Sequence, residues 1–305
     1  MMEPETAGDP TGKTLRWTRK STYKISEALK KENGIKICPN SAGQILKQLD
    51  YSLKVNRKSK SETYHEDRNL QFQQIENRVK AYEESGQPII SVDTKKKELI
   101  GNFRNTGKKY EQDIEQTLVH DFKSSSIGVA NPYGIWERFT NKGTIVIGTS
   151  KDTPEFAVAS IELWLSQFAF DEYANFKKLL ILGDSGGSNG YRVNGWKYYL
   201  YHKICKVYGI EIDSCHYPSG ASKWNPIEHK LFCHISQNWA GVPLRTYETV
   251  INYINTTTTR KGLSVRAIQH DKIYETGQKF SKKQMDAINI DRYETLPKWN
   301  YKIYP

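Results

Sequence analysis

The stretch from Lys178 to Cys233 limits the fold most strongly. Leu179-Leu180-Ile181-Leu182 is too short to span a membrane and too uniformly apolar for a half-solvated strand. It predicts a buried strand in a sheet covered on both faces. The run ends in an acid, Asp184, and turn residues follow at once from Ser185 to Gly190. Asp184 is therefore expected at the carboxyl end of its strand, where open α/β sheets place their ligands. An acid at that point also serves as an ordinary cap for the following turn.

A second carboxylate opens a helix. In Ser222-Lys223-Trp224-Asn225-Pro226-Ile227-Glu228-His229, Asn225 suits the N-cap and Pro226 the first helical position, where no N–H is needed. Ile227, Leu231, Ile235 and Trp239 recur every four residues as the apolar stripe, with Glu228 beside it. An acid in a first turn is also a plain partner for the helix dipole. Upstream, Pro88-Ile89-Ile90-Ser91-Val92-Asp93 is a second β-favouring run that ends in an acid.

Three acids in such settings, Asp93, Asp184 and Glu228, are read as one metal site. Oxygen-only ligands select Mg²⁺, with Mn²⁺ as substitute, over zinc. Two such ions held close together support phosphodiester chemistry, with Asp93 bridging them and the other two acids one on each side. The cysteines, Cys38, Cys205, Cys215 and Cys233, form no CxxC pair and are expected as free thiols. A zinc set of Cys215, His216, His229 and Cys233 fits no structural zinc spacing.

Lys+Arg of 45 against Asp+Glu of 34 gives a net charge of +11, which favours a polyanionic partner; double-stranded DNA is the expectation. Aromatic content of 12% is too high for a disordered basic tail. No run of 18 apolar residues exists and no signal-peptide core opens the chain, so a cytoplasmic protein without membrane contact is expected, nucleoid-associated when bound to DNA. The Ser185–Gly190 loop lacks the Gly-Lys-Ser/Thr ending of a P-loop, which argues against an NTP site.

Taken in order, residues 1–60 read as a helix-turn-helix DNA-binding region. One helix covers Ser21 to Lys31 with Ile25, Leu29 and Tyr23 inward, and Gly34 breaks it. A second covers Ser41 to Leu49 with Asn40 as cap and Ile45, Leu46 and Leu49 as its apolar positions. Tyr51-Ser52-Leu53 would begin a wing. Arg57, Lys58 and Lys60 follow as phosphate contacts. Residues 61–86 read as a linker helix. Residues 87–244 read as the catalytic domain, with Leu99–Phe103 as antiparallel partner of the Asp93 strand, 104–142 as an insertion, and Gly143–Gly148 as the third strand. A helix from Thr153, the Asp184 strand, a helix over 192–208, a strand at Ile210–Ile212 and the Glu228 helix complete it. Residues 245–305 read as a C-terminal appendage. Three strands, helix, strand, helix, strand, helix is the order of the α/β ribonuclease-H-like fold, a mixed sheet flanked by helices whose first strand lies beside its fourth. Lys95, Lys96 and Lys97 lie where phosphates passing Asp93 would meet them, although lysines in a turn are more often merely solvated. Lys223, His216 and His229 are further candidates for DNA contacts, the histidines toward the scissile phosphate or leaving group.

Several motifs resemble one family in order: Ser-Val-Asp-Thr-Lys-Lys-Lys-Glu at 91–98, His-Asp-Phe at 120–122, Pro-Tyr-Gly-Ile at 132–135, Asp-Ser-Gly-Gly-Ser-Asn-Gly at 184–190 and Ser-Lys-Trp-Asn-Pro-Ile-Glu-His at 222–229. They look like the Rhodopirellula-type DDE transposases of bacterial insertion sequences, and the likeness extends to Gly8-Asp9-Pro10, Tyr51-Ser52-Leu53 and Trp299-Asn300-Tyr301. Pro226 stands where Lys is expected in close relatives, and Asn-Pro-Ile-Glu is similar to the wider mariner group. The resemblance implies that Asp93, Asp184 and Glu228 are the acidic metal ligands of an enzyme that cleaves element ends and transfers strands to target DNA, as a DNA-bound homo-oligomer. It also implies that the chain opens on residues internal to the family's N-terminal region. The alternatives are a silent transposase-derived DNA-binding protein, against which the intact triad argues, and a ribonuclease-H-like nuclease that does not join.

Overall fold

The computed structural model describes residues 6–8, 16–18, 20–54, 66–221 and 224–305, in a chain that divides into two compact units, Met1–Lys60 and Ser61–Pro305. Arg57, Lys58, Lys60 and Lys223 lie outside the described residues.

In the first unit β1 (Thr6–Gly8) pairs antiparallel with β2 (Arg16–Thr18). Helix α1 (Thr22–Asn33) is capped by Ser21, whose hydroxyl accepts from the Lys24 N–H. It ends at Gly34, where a φ of 66° places the chain in the left-handed region that a residue without Cβ enters freely. Helix α2 (Pro39–Gln48) begins earlier than expected. Cys38 is the cap in place of Asn40, its Sγ accepting from the Ser41 N–H at 3.4 Å, and Pro39 takes the first helical position. Ile25 and Ala42 are buried, whereas Tyr23, Ile45 and Leu49, expected inward, are exposed. Tyr51–Leu53 forms no strand, so the expected wing does not start there.

The second unit is organised by a nine-stranded mixed sheet. Its central strands are β3 (Ile89–Thr94), β5 (Gly128–Glu137) and β6 (Lys142–Gly148), an antiparallel meander, and β7 (Lys178–Gly183) and β8 (Glu211–His216), both running parallel to β3. Their spatial order, β8-β7-β3-β5-β6, is the ribonuclease-H-like order. The second strand of the meander is not the expected one. Leu99 falls in a short strand, β4 (Glu98–Ile100), that pairs with β5 instead of β3, and β5 itself lies inside the stretch read as an insertion. Asn131, Pro132 and Gly134 hide its periodicity, and it is buried along most of its length, so no alternation marks it. Pro132 is tolerated because the β3 ladder ends at Tyr133.

Residues beyond 245 complete the sheet. Strand β9 (Ser264–His270) adds parallel to β6 at one edge, while β10 (Ile290–Arg292) and β11 (Asn300–Ile303) add antiparallel at the other, β11 lying against β8. The expected appendage thus supplies both edges of the fold. Helix α3 (Arg68–Glu84), expected as a linker, is also a layer of this unit: Ile75, Val79 and Tyr82 pack with Leu180, Leu182, Cys215 and Tyr217. Beside it on that face lie α6, formed by a π-helical turn Glu228–Phe232 continued by Cys233–Asn238, and α7 (Tyr247–Asn255). Their apolar residues pack with Trp136, Ile145 and Ile147. The opposite face is covered by α4 (Pro154–Trp164), started by a Thr153 cap, and by α5, running from Asn194–Tyr199 through a π-helical stretch to Tyr208.

Candidate active site

Strand pairing alone brings two of the acids together. Val92 of β3 is the register partner of Gly183 of β7. The next residues along these parallel strands are Asp93 and Asp184, so both carboxylates emerge at the same carboxyl edge of the sheet. Alternation along β3 places Asp93 on the same face as Ile89, which is the face covered by α3 and α6.

Glu228 arrives from α6, and the sheet is shaped to receive that helix. Gly134 is the partner of Asp93 across the β3–β5 ladder, and a Cβ there would stand 2.3 Å from Phe232 Cε1. One strand further, a Cβ on Gly143 would stand 2.3 Å from Leu231 Cδ1. The two missing side chains let the first turn of α6 lie directly on the sheet beside Asp93. Asn225, fully buried, ties the arrangement together: its amide donates to the Val92 carbonyl at 3.3 Å and to Asp184 Oδ1 at 3.2 Å, while its oxygen accepts from the Ile227 N–H that opens the helix. The expected N-cap is therefore also a strut between β3, Asp184 and α6.

The electrostatics follow from this crowding. Burial pushes the Asp93 carboxyl up to about 8, with the charge of Asp184 the next cause and those of Glu228 and Asp152 after it; the Thr94 N–H, donating to Asp93 Oδ1 at 2.8 Å, opposes the rise. Asp184 is also raised, by burial first, against the hydrogen bond from Asn225 and with Glu228 adding to the rise. The charge of Glu228 thus bears on both aspartates. Asp152 is a fourth carboxylate of this neighbourhood that the sequence pattern did not single out. It follows the end of β6 by a few residues, and no periodicity marked it.

Among the described residues, no three or more His, Cys, Asp or Glu side chains already stand at metal-ligand spacing. The zinc set is not assembled: Cys215 and His216 are buried on β8, and Cys233 donates to the His229 carbonyl at 3.1 Å.

The other candidates separate by exposure. Lys95 is turned inward. It is only 8% exposed, with its ammonium 2.9 Å from Glu98 Oε1 and over the Trp239 ring, so it is a structural ion pair and not a phosphate contact. Lys96, Lys97 and His229 are exposed. His216 ends β8, which runs past the strand expected at Ile210–Ile212; it is fully enclosed, and burial lowers its imidazole to about 4, which keeps it neutral. It is thus withdrawn from direct contact with DNA. No described helix is long and apolar enough to cross a membrane.

Among solved structures, the chain is similar to the Mos1 transposase paired-end complex with left transposon end, at 12% identity and a TM-score of 0.45 over 80% of this chain and 73% of that one. It is similar too to the mariner Mos1 paired end complex with Mg, at 12% identity and a TM-score of 0.44 over 81% and 74%. No curated protein matches it in sequence. The family profile described as the Rhodopirellula transposase DDE domain matches residues 1–305. With its whole length inside that match, the chain belongs to the Rhodopirellula transposase DDE domain family and is a DNA transposase of the DDE class.

Proposed function

We propose that this transposase cuts DNA at the ends of its element and joins the freed 3′-hydroxyl to target DNA, with Asp93, Asp184 and Glu228 holding the divalent ions, Mg²⁺ or Mn²⁺, on which the reaction depends. The observation that carries the reading is the register of β3 and β7, which sets Asp93 beside Asp184 at the carboxyl edge while α6 brings the charge of Glu228 to bear on both. The donors are oxygen only, and two of them are held in surroundings that resist negative charge, so a hard dication relieves both their burial and their repulsion. Held by these three acids, two such ions would supply activation of a water or 3′-hydroxyl and neutralisation of the leaving oxygen.

The chain's own residues do the rest. Asn225 fixes the Asp184 carboxylate and the start of α6 together, and Gly134 lets that helix approach. Lys96, Lys97 and His229, all exposed, hold DNA phosphates near the acids, and the first unit binds the element end, with Arg57, Lys58 and Lys60 as phosphate contacts. On DNA the chain works as a homo-oligomer. The test uses a plasmid carrying the element, with Mg²⁺. Cleaved ends and joined products from the wild type, both lost in Asp93→Asn, Asp184→Asn and Glu228→Gln while end binding persists, support the proposal. Cleavage without joined products reduces the protein to a nuclease, and full activity in any one variant removes that acid from the site.

A further inference from the structure

Asp184 stands where the ladder can no longer hold it. Strand β7 ends at Gly183, and a glycine-rich stretch follows, with Gly187 at a φ of 75°. The Asp184 side chain is held by Asn225, but its main chain is held from another side. His216, the register partner of Gly183 on β8, turns Nδ1 to the Asp184 carbonyl at 3.0 Å. A carbonyl only accepts, so Nδ1 carries the proton. In the neutral ring Nε2 is then an acceptor, and two hydroxyls reach it: Tyr301 at 3.0 Å and Ser214 at 3.2 Å. Tyr301 belongs to β11, opposite Ser214, and is fully buried with its ring 5.6 Å from that of His216. The Lys197 ammonium lies over the Tyr301 ring, 5.4 Å from its centroid.

We propose that His216 and Tyr301 are positioning residues for the reaction, a relay from the C-terminal strand that fixes the main chain of Asp184 and through it the carboxylate's aim. The Tyr301 hydroxyl orients the imidazole by donating to Nε2, and the imidazole clamps the carbonyl through Nδ1–H. Neither residue touches DNA or the reacting atoms. A group that only filled the core would have no need of this ordered run of donors and acceptors, and Phe and Leu would serve it as well. The idea rests on the reading of Asp184 as a site acid, and its test keeps the two apart.

The variants are Tyr301→Phe, which deletes one hydroxyl and keeps the ring, His216→Asn, whose amide can still donate to the carbonyl, and His216→Leu, which cannot. Asp184→Asn is run beside them. Two readouts are taken: the Mn²⁺ concentration that gives half of the cation-induced rise in unfolding temperature without DNA, and the Mn²⁺ dependence of end cleavage. Groups that orient a metal-binding side chain are worth about 10- to 100-fold in metal affinity. Tyr301→Phe and His216→Leu are therefore expected to need about 10-fold more Mn²⁺ or beyond in both readouts, with end binding in EDTA unchanged, and His216→Asn to recover most of the difference. Should His216→Leu fail to fold, Tyr301→Phe against His216→Asn still decides. Wild-type Mn²⁺ dependence in Tyr301→Phe overturns the relay, as does His216→Asn behaving like a folded His216→Leu. If Asp184→Asn itself keeps the wild-type Mn²⁺ response and activity, it is the site reading that falls.

Discussion

Phe232 occupies the volume that a side chain on Gly134 would fill, its Cε1 2.3 Å from where a Cβ would stand. Gly134 faces Asp93 across the ladder and Phe232 is one turn beyond Glu228, so this contact, together with that of Leu231 on Gly143, sets how closely the helix acid approaches the strand acid. Gly134→Val is expected to push α6 off the sheet. Overpacking of this kind costs about 1–3 kcal/mol. Denaturant unfolding should show that loss, and end cleavage should fall much further than stability does. A Gly134→Val protein with normal cleavage would mean that the approach of α6 is not limiting.

Asp93 yields a pH dependence. Its carboxyl is raised from an ordinary 3.8 to about 8 in the folded protein, by burial first and by Asp184 next. Between those values the unfolded chain has lost the proton and the folded one keeps it, so folding stability falls as pH rises through that window. Asp93→Asn abolishes this dependence. Without divalent cations, thermal unfolding at pH 8 should find Asp93→Asn more stable than wild type, and the two should converge near pH 4. Adding Mg²⁺ or Mn²⁺ at pH 8 should stabilise the wild type and leave the variant little changed.

The exposed lysines beside the site make a prediction about salt. If Lys96 and Lys97 each neutralise one phosphate, replacing both by Ala lowers the slope of log affinity against log salt by about 0.9 for each phosphate no longer neutralised. Lys95→Ala should leave that slope as it is and cost folding stability instead, because Lys95 is held by Glu98 and Trp239. Binding titrations at several salt concentrations separate the two behaviours.

Arg266 tests whether the segment after 245 belongs to the core. From β9 its guanidinium reaches Glu137 at 2.7 Å and Glu172 at 2.6 Å, and Glu137 is fully buried. Arg266→Ala leaves that carboxylate without its cation, a loss of about 3–5 kcal/mol. Burial already raises Glu137 with Arg266 in place, so the damage should be greatest at high pH and shrink as the pH falls and the carboxyl takes up its proton. Denaturant unfolding at pH 6 and pH 8.5 would show both the size and the trend.

What can be read in advance is what local chemistry encodes. The all-apolar run before Asp184, the Asn-Pro opening of the Glu228 helix and the acid ending β3 each state their structure within a few residues, and together they lead to the ribonuclease-H-like order. Strand β5 escapes such a reading because Pro132 and Gly134 look like breakers, when one lies past the end of a ladder and the other makes room for Phe232. Lys95 looks like a surface charge because nothing nearby in sequence announces Trp239, its ring partner. The burial of His216 and its partnership with Tyr301 depend on a strand 85 residues further on, a distance at which no periodicity reports.

The chain closes its sheet with strands that follow the acids in sequence. Strand β11 docks on β8, and β9 on β6, only after the acid-bearing strands have long been synthesised. During translation, Asp93, Asp184 and Glu228 can all be present on a nascent chain whose sheet still has two open edges and whose His216 still lacks Tyr301. A polypeptide that stops before β11 therefore carries Asp93, Asp184 and Glu228 but lacks the strand that pairs with β8 and the hydroxyl that reaches His216 Nε2.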